Sequence, residues 1–471
     1  MTTPGVERAN LLLSDVEVLG RRLDVRVRQG RIVETGANLE RGEDELVEGR
    51  GGALLPGLHD HHLHLLAMAA ARRSVQAGPP HVRTAEELER ELRSAPAEQS
   101  WIRGVGYHDS VAGALDRRVL DAWVPDRPVR IQHRSGALWV LNSAALQLIS
   151  AVLDDSADVE KDHDGTPNGR LWRYDERLAR ALPDQTALQD ADLAAVADAL
   201  FRLGITGVTD ATPGLDERAV ALLGAATPLR MHLLGGPTPA AGMSRISVGP
   251  RKLLLRDHDL PTYDELCAMV DPDGRGHARS PVAVHCVTRE SLILTLAVLT
   301  DVGSAPGDRI EHASVVPAGV EAELARLGLT VVTQPDLLRT RGDVYLHDVD
   351  ADDLPHLYPW ASLVRAGVLV APSSDAPFGD IDPWQVIRSA RDRQTRDGTA
   401  IGPDERVTAD VALRGYLTAP EDPGGPSRRV ETGAVADLCL LSVPLSEALA
   451  HPESSLVRLV LADGHQVATT S

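Results

Sequence analysis

Aromatic residues are scarce in this chain of 471 residues, where two Phe, six Tyr and six Trp make up 3%. The core must therefore be mainly aliphatic, and 43% hydrophobic with 25% charged residues supplies a globular protein with a sizeable one. No apolar run approaches the roughly 18 residues of a membrane span. The start, Met1-Thr2-Thr3-Pro4-Gly5-Val6-Glu7, lacks the basic and apolar regions of a secretory signal. A soluble, cytoplasmic protein without a membrane partner is expected. Positive charge is also short: the formal net charge is -20 and no Lys/Arg block stands out, so a phosphate backbone would be repelled and nucleic acid is not an expected partner. Cysteine is limited to Cys267, Cys286 and Cys439, with no Cys-x-x-Cys spacing. That excludes a disulfide framework and fits a reducing compartment. Cys286 adjoins His285, but neighbours in a strand face opposite ways, so a buried structural thiol is the expectation.

Histidine, by contrast, is concentrated. The run Pro56-Gly57-Leu58-His59-Asp60-His61-His62-Leu63-His64 breaks at Pro-Gly and holds four imidazoles. In an extended segment, residues two apart share a face, and neutral imidazole is the commonest metal ligand. His62 with His64 forms one such pair and His59 with His61 another, and spacing alone does not choose between them.

Short strands separated by Gly-containing turns are predicted at 10–13, 23–27, 31–34 and 53–55, and the far end repeats the style at 436–441, 457–461 and 466–468. Both ends are expected to build one small β-sandwich from residues 1–55 and 430–471. Between them, apolar β-rich runs alternate with helix-like segments such as 187–203 and 317–327. The runs are the one before His62 and those at 207–210, 229–234, 252–255, 282–286, 309–312, 329–333 and 368–371. Buried parallel strands read as apolar runs, and eight alternating with helices predict an α/β fold, a (β/α)8 TIM-type barrel over 56–429. Residues 78–185, with a strand at 129–133 and helices at 84–92 and 142–149, read as an insertion between the first two barrel strands.

Barrel active sites lie at the C-terminal ends of strands. His285 and His312 each end a run, and Asp375 follows the last one in Pro372-Ser373-Ser374-Asp375-Ala376-Pro377. Imidazoles from several strands with a carboxylate form a set that can bind metal and move a proton. Lys252 opens an apolar run, where a charge is awkward unless neutral or paired. A lysine there can take up carbon dioxide as a carbamate whose two oxygens bridge two cations.

These residues resemble the amidohydrolase superfamily, in its YtcJ-like (amidohydrolase 3) branch. Besides 56–64, the matching segments include Trp101-Ile102-Arg103-Gly104, Trp139 to Leu146, Gly204 to Asp210, Val284-His285, Arg309-Ile310-Glu311-His312-Ala313, Thr333-Gln334-Pro335 and Ser374-Asp375-Ala376-Pro377. The family pattern Pro-Gly-x-x-Asp-x-His-x-His implies that Asp60 takes the aspartate position and that His62 and His64 are the ligands. It likewise implies Lys252 as a bridging carbamylated lysine, His285 and His312 as ligands of a second metal, and Asp375 as ligand and catalytic aspartate. Where relatives often have Asp-Gly-His, this chain has Arg134-Ser135-Gly136-Ala137.

The implied cofactor is a divalent metal, zinc above others, as one or two ions. The implied activity is hydrolysis of a non-peptide carbon-nitrogen bond, linear or cyclic, in a small molecule by metal-activated hydroxide. Alternatives are a mononuclear aminohydrolase that deaminates an amidine or heterocycle, and a catalytically silent binding relative. Tyr107, His108, Arg134, Trp139, Trp172, Arg339 and Arg341 lie in the insertion or beyond a strand end, and are candidates to recognise a carboxylate or flat ring. A homo-oligomer joined through the sandwich or insertion is compatible with the sequence.

Overall fold

In the computed structural model, which describes residues 10–79, 81–96, 100–182, 190–226 and 228–469, the chain divides into two compact units. One comprises the residues up to Leu65 and from Leu193 onward, and the other spans Leu66–Asp192.

In the first unit, alternating apolar residues near the start of the chain give an antiparallel meander, Leu11–Val18, Arg21–Arg28 and Arg31–Gly36, with Glu45–Glu48 parallel to its first strand. Its hairpins turn at Leu19-Gly20 and Gln29-Gly30, where all four residues have φ between 50° and 77°. Two-residue turns of that kind match the right-handed twist of the strands. A second sheet pairs Leu54–Pro56 with Leu438–Leu441, Val457–Ala462 and His465–Thr469. Leu13, Val25, Val27, Leu438, Leu440 and Leu461 are at most 1% exposed and belong to one apolar cluster, so both ends of the chain share a core.

The chain leaves this layer at Gly57, where a Cβ would lie 2.2 Å from Thr206 Oγ1 and no side chain fits. It then enters a series of parallel strands: β1 (Leu58–Leu63), β2 (Ile205–Asp210), β3 (Arg230–Leu233), β4 (Ile246–Val248), β5 (Arg251–Leu254), β6 (Val282–Cys286), β7 (Arg309–His312), β8 (Thr330–Thr333) and β9 (Leu369–Pro372). Eight correspond to the predicted runs, and β4 is additional. Every residue of β1, β2 and β7 is buried, as expected where both faces of a parallel sheet are covered.

The ladders form two sheets, ordered β4-β3-β2-β1 and β5-β6-β7-β8-β9, rather than one ring. Each seam has a physical reason. Between β4 and β5 stands Gly249-Pro250; Gly249 donates back to Leu233 O at 2.8 Å and proline has no N–H to give. Between β9 and β1, the link passes through the segment after β9, with Asp375 N donating to His62 O and His64 N to Ala376 O, each at 2.9 Å.

The Leu66–Asp192 unit holds a six-stranded sheet in the order Val159–Lys161, Pro167–Trp172, Leu138–Leu141, Val129–His133, Ile102–Tyr107, Val75–Gln76. Period-two alternation sorts its side chains into two clusters, one with Ile102, Ile131 and Val140, the other with Trp101, Trp139, Leu141 and Leu171. The insertion predicted at 78–185 falls within this unit. The predicted helix 187–203 is seen as Asp190–Arg202, and its positions 187–189 lie outside the described residues.

Candidate metal centre

Two interleaved histidine pairs on β1 part company according to strand alternation. His59 and His61 turn one way: His59 Nε2 lies 2.9 Å from Thr209 Oγ1, and His61 Nε2 lies 3.0 Å from both Gly415 O and Thr418 Oγ1. His62 and His64 turn the other way, toward Asp375, whose Oδ1 is 3.7 Å from His62 Nε2 and 3.4 Å from His64 Nε2. One donor atom from each of these three residues lies within 4.8 Å of the other two.

The remaining imidazoles join this group. The His312 ring centre is 4.7 Å from that of His62 and 4.4 Å from that of His285, and its Nδ1 is 4.0 Å from Asp375 Oδ2. Register pairs His285 with Glu311, so these two share a face and His312 should point away. The backbone reverses that: His312 and Ala313 have φ of 70° and 46°. Asp375, at φ 53°, uses the same left-handed region, which aspartate tolerates better than most residues. Non-glycine residues held there cost of order 1–3 kcal/mol and tend to occur at functional sites.

Behind the imidazoles lies a set of buried acceptors. His62 Nδ1–H donates to Glu311, which is itself paired with Arg309. His312 Nδ1–H donates to Gln334 Oε1 at 2.9 Å, and Gln334 Nε2 donates to Ser373 Oγ at 2.8 Å, which orients the amide. With Nδ1 acting as donor, each ring presents the lone pair of Nε2, the arrangement by which carboxylates and amides orient metal-binding histidines. Asp60 accepts from His62 N at 3.1 Å and Ser374 N at 3.2 Å, and so ties β1 to the Asp375 segment; burial pushes its carboxyl up to about 6.

Charge in the site is set by burial and by these partners. Burial, reinforced by Lys252, presses His62 down to about 3, leaving the neutral ring that a ligand needs. Burial alone would raise Asp375, but the His64 hydrogen bond and the imidazoles of His312 and His62 hold it well below the usual carboxylate range. Glu311 is likewise held low against burial, by Arg309 first and then by His62 and Lys252. Lys252, one of two lysines in the chain, is 9% exposed on β5. Burial lowers it to about 8 despite the fields of Glu311 and Asp375.

Two buried atoms here, His62 Nε2 and Lys252 Nζ, have no hydrogen-bond partner. Buried polar atoms are rarely left so. Two imidazoles and a carboxylate drawn together, with the His62 Nε2 lone pair buried and unpartnered, fit a divalent cation of the zinc type.

Neither Glu311 nor Gln334 is among the predicted site residues. Glu311 had a signal: Arg309 and Glu311 are two apart on a strand that reads as buried, so they share a face and must be paired. Arg339 and Arg341 serve the segment after β9: Arg339 is held by Asp336 at 2.8 Å and Asp380 at 3.0 Å, and Arg341 donates to Phe378 O at 2.9 Å. The Phe378 ring stands edge-on to His64 at 5.7 Å. The other candidates belong to the Leu66–Asp192 unit. There Tyr107 is buried with its hydroxyl on Gly113 O at 2.6 Å, and His108 caps the helix Asp109–Ala112. Arg134 N donates to Tyr107 O at 2.8 Å, and the indoles of Trp139 and Trp172 donate to Asp175 at 2.9 Å and Glu160 at 2.6 Å. Residues 134–137 are Arg-Ser-Gly-Ala and hold no histidine. Cys286 is buried against Thr295, as expected of a structural thiol.

Parallel strands whose ends gather four histidines and an aspartate define an α/β protein of the metal-dependent hydrolase type. A family model described as "Amidohydrolase family" matches residues 45–239 and 276–468, and the chain belongs to that family: it is an amidohydrolase. It is 27% identical to an N-substituted formamide deformylase of Arthrobacter pascens over 88% of this chain and 89% of that protein. It is 25% identical to the putative amidohydrolase YtcJ of Bacillus subtilis strain 168, over 79% and 80%. In fold it is similar to an uncharacterized metal-dependent hydrolase from Pyrococcus horikoshii OT3, with a TM-score of 0.72 and 19% identity across 97% of this chain and 100% of that one. Among the described residues no helix is long and apolar enough to cross a membrane.

Proposed function

We propose that the protein hydrolyses the carbon-nitrogen bond of a small amide, with N-substituted formamides and related N-acyl compounds first among the substrates to test. The two parallel sheets would act together as one (β/α)8 barrel, with the sandwich from both chain ends beside it and the Leu66–Asp192 unit as its insertion. The observation that carries the reading is the convergence of His62, His64 and Asp375, with His62 Nε2 buried and unpartnered.

His62, His64, His285, His312 and Asp375 would hold the metal, zinc by donor chemistry, with Lys252 as a carbamate bridging a second ion. Bound metal supplies a Lewis acid and lowers the pKa of bound water to ~7. This chain's own residues do the rest. Asp375, kept ionised, takes a proton from the attacking water at its carboxylate. As water oxygen adds to the carbonyl carbon and the C–N bond breaks, Asp375 returns that proton to the departing nitrogen. Glu311 and Gln334 hold His62 and His312 in orientation throughout.

The deformylase relative is 27% identical, which supports the choice of formamides for the first panel. The test is metal analysis of the purified protein, then hydrolysis of formamides and N-acyl amino acids before and after chelation. Activity that disappears with the metal and returns on adding zinc is expected; full activity without metal refutes the proposal.

A second reading has a specific observation behind it, since His62, His64 and Asp375 alone already form a one-ion set. A mononuclear aminohydrolase would use that set without Lys252. Lys252→Ala separates the two: loss of one metal equivalent supports two ions, and unchanged stoichiometry and rate support one. With two lysines in the chain, carbon-13 bicarbonate should give one carbamate NMR signal that vanishes in the same variant.

A further inference from the structure

Arg103 and Arg130 have no part in the metal centre. They are register partners on the parallel strands Ile102–Tyr107 and Val129–His133, so their side chains leave the same face of the sheet. Alternation in Val129-Arg130-Ile131-Gln132-His133 would put Arg130 in water, yet that face is covered by the cluster around Trp101, Trp139 and Tyr174, and Arg130 is 4% exposed. Its guanidinium carbon lies 5.8 Å from the Trp101 ring centre and 5.5 Å from that of Trp139; the Arg103 carbon lies 5.6 Å from Trp139. Indole faces attract a flat cation and hold its plane.

The hydrogen-bonding edge of that cation is unused. Arg130 Nε is buried without a partner, and neither arginine forms an ion pair with a described residue. Arg103 makes one hydrogen bond, from Nη1 to Ser74 Oγ at 2.8 Å. The carboxylate whose field reaches both is Asp175, and its Oδ1 already accepts from Trp139 Nε1 at 2.9 Å and Gln132 Nε2 at 3.2 Å. Arginine stays charged in proteins, so these two cations have one carboxylate in reach, the exposed Asp175, while Arg130 itself is buried. An unpaired buried charge is costly, and a bound anion relieves it.

We infer that Arg103, Arg130 and the Trp101 and Trp139 indoles form a binding site for a small carboxylate. A guanidinium fork matches the two oxygens of a carboxylate in plane, and the indoles fix that plane beforehand. The site is independent of the hydrolytic reading, because binding can be followed without turnover.

Acetate is titrated into the full chain at constant ionic strength, with chloride in its place as control, and followed by tryptophan fluorescence and Tm. A saturable change and a rise in Tm with acetate alone are expected. Arg130→Lys keeps the charge but loses the fork, and should raise the half-saturating acetate concentration at least about ten-fold. Arg103→Lys, at a less buried position, should raise it several-fold and carries the test if Arg130→Lys does not fold. An equal response to chloride, or an acetate response unchanged in both variants, overturns the inference.

Discussion

Replacing Glu311 by glutamine removes one negative charge and changes almost nothing in shape. In the native site this carboxylate accepts from His62 Nδ1–H and from Arg309, and its field also acts on Lys252. Two consequences can be sized. For the metal, losing a carboxylate behind a ligating histidine typically costs 10- to 100-fold in affinity, or about 1.4 to 2.7 kcal/mol. For stability, Arg309 is 2% exposed and loses its charge partner. Breaking a buried pair from one side costs roughly 3–5 kcal/mol, and the amide oxygen that glutamine retains places the loss near the lower end, about 3 kcal/mol. Metal affinity is read by competition with a chromophoric chelator and stability by urea unfolding of the metal-free protein. If Glu311→Gln folds and binds metal within two-fold of the wild type, the account of how His62 is oriented is refuted.

His59→Ala should lose about 1–3 kcal/mol of unfolding free energy, since Thr209 Oγ1 is left unpaired in the core, while metal content is unchanged; loss of metal from a folded variant would reverse the assignment of the two histidine pairs. His232, on β3 beside Ser247, is pressed down to about 4 by burial and then by Arg309. Its unfolded value is higher, so its stability contribution is intact above about 6.5 and falls as pH drops from there toward 4, by up to roughly 3 kcal/mol. Urea midpoints at pH 7 and 4.5 should therefore differ less in His232→Gln than in the wild type. Burial pushes the thiols of Cys286 and Cys439 up to about 12, whereas Cys267 is only half-buried. An aromatic disulfide reagent at pH 8 should modify Cys267 first and the other two only on unfolding; fast modification of all three in the native protein would contradict the packing described.

The parallel strands were legible because burial on both faces leaves an apolar run in the sequence, and β1 to β3 and β5 to β9 each lie where such a run stands. The two seams were not, because they depend on where Pro250 withholds a donor and where the loop after β9 takes over the pairing. At the site, the strand-end positions of His285, His312 and Asp375 could be read from the sequence, whereas the choice of His62 and His64 over His59 and His61 came from the family pattern and not from spacing. The inward turn of His312 could not: alternation points it away, and only its left-handed backbone brings it back. Arg130 failed the same rule differently. Period two gives the face of a residue, but what covers that face is a tertiary fact, and Trp101 and Trp139 cover this one.

The strand before Gly57 pairs with Leu438–Leu441, and the main chain of His62 and His64 is bonded to Asp375 and Ala376. On a ribosome these partners emerge more than three hundred residues after the histidines they hold, so the ligand strand waits through most of synthesis with β2 on one side and nothing on the other. Such distant closures are slow to form. A chain halted before residue 375 would carry His62, His64, Lys252, His285 and His312, and still have no centre to place them around.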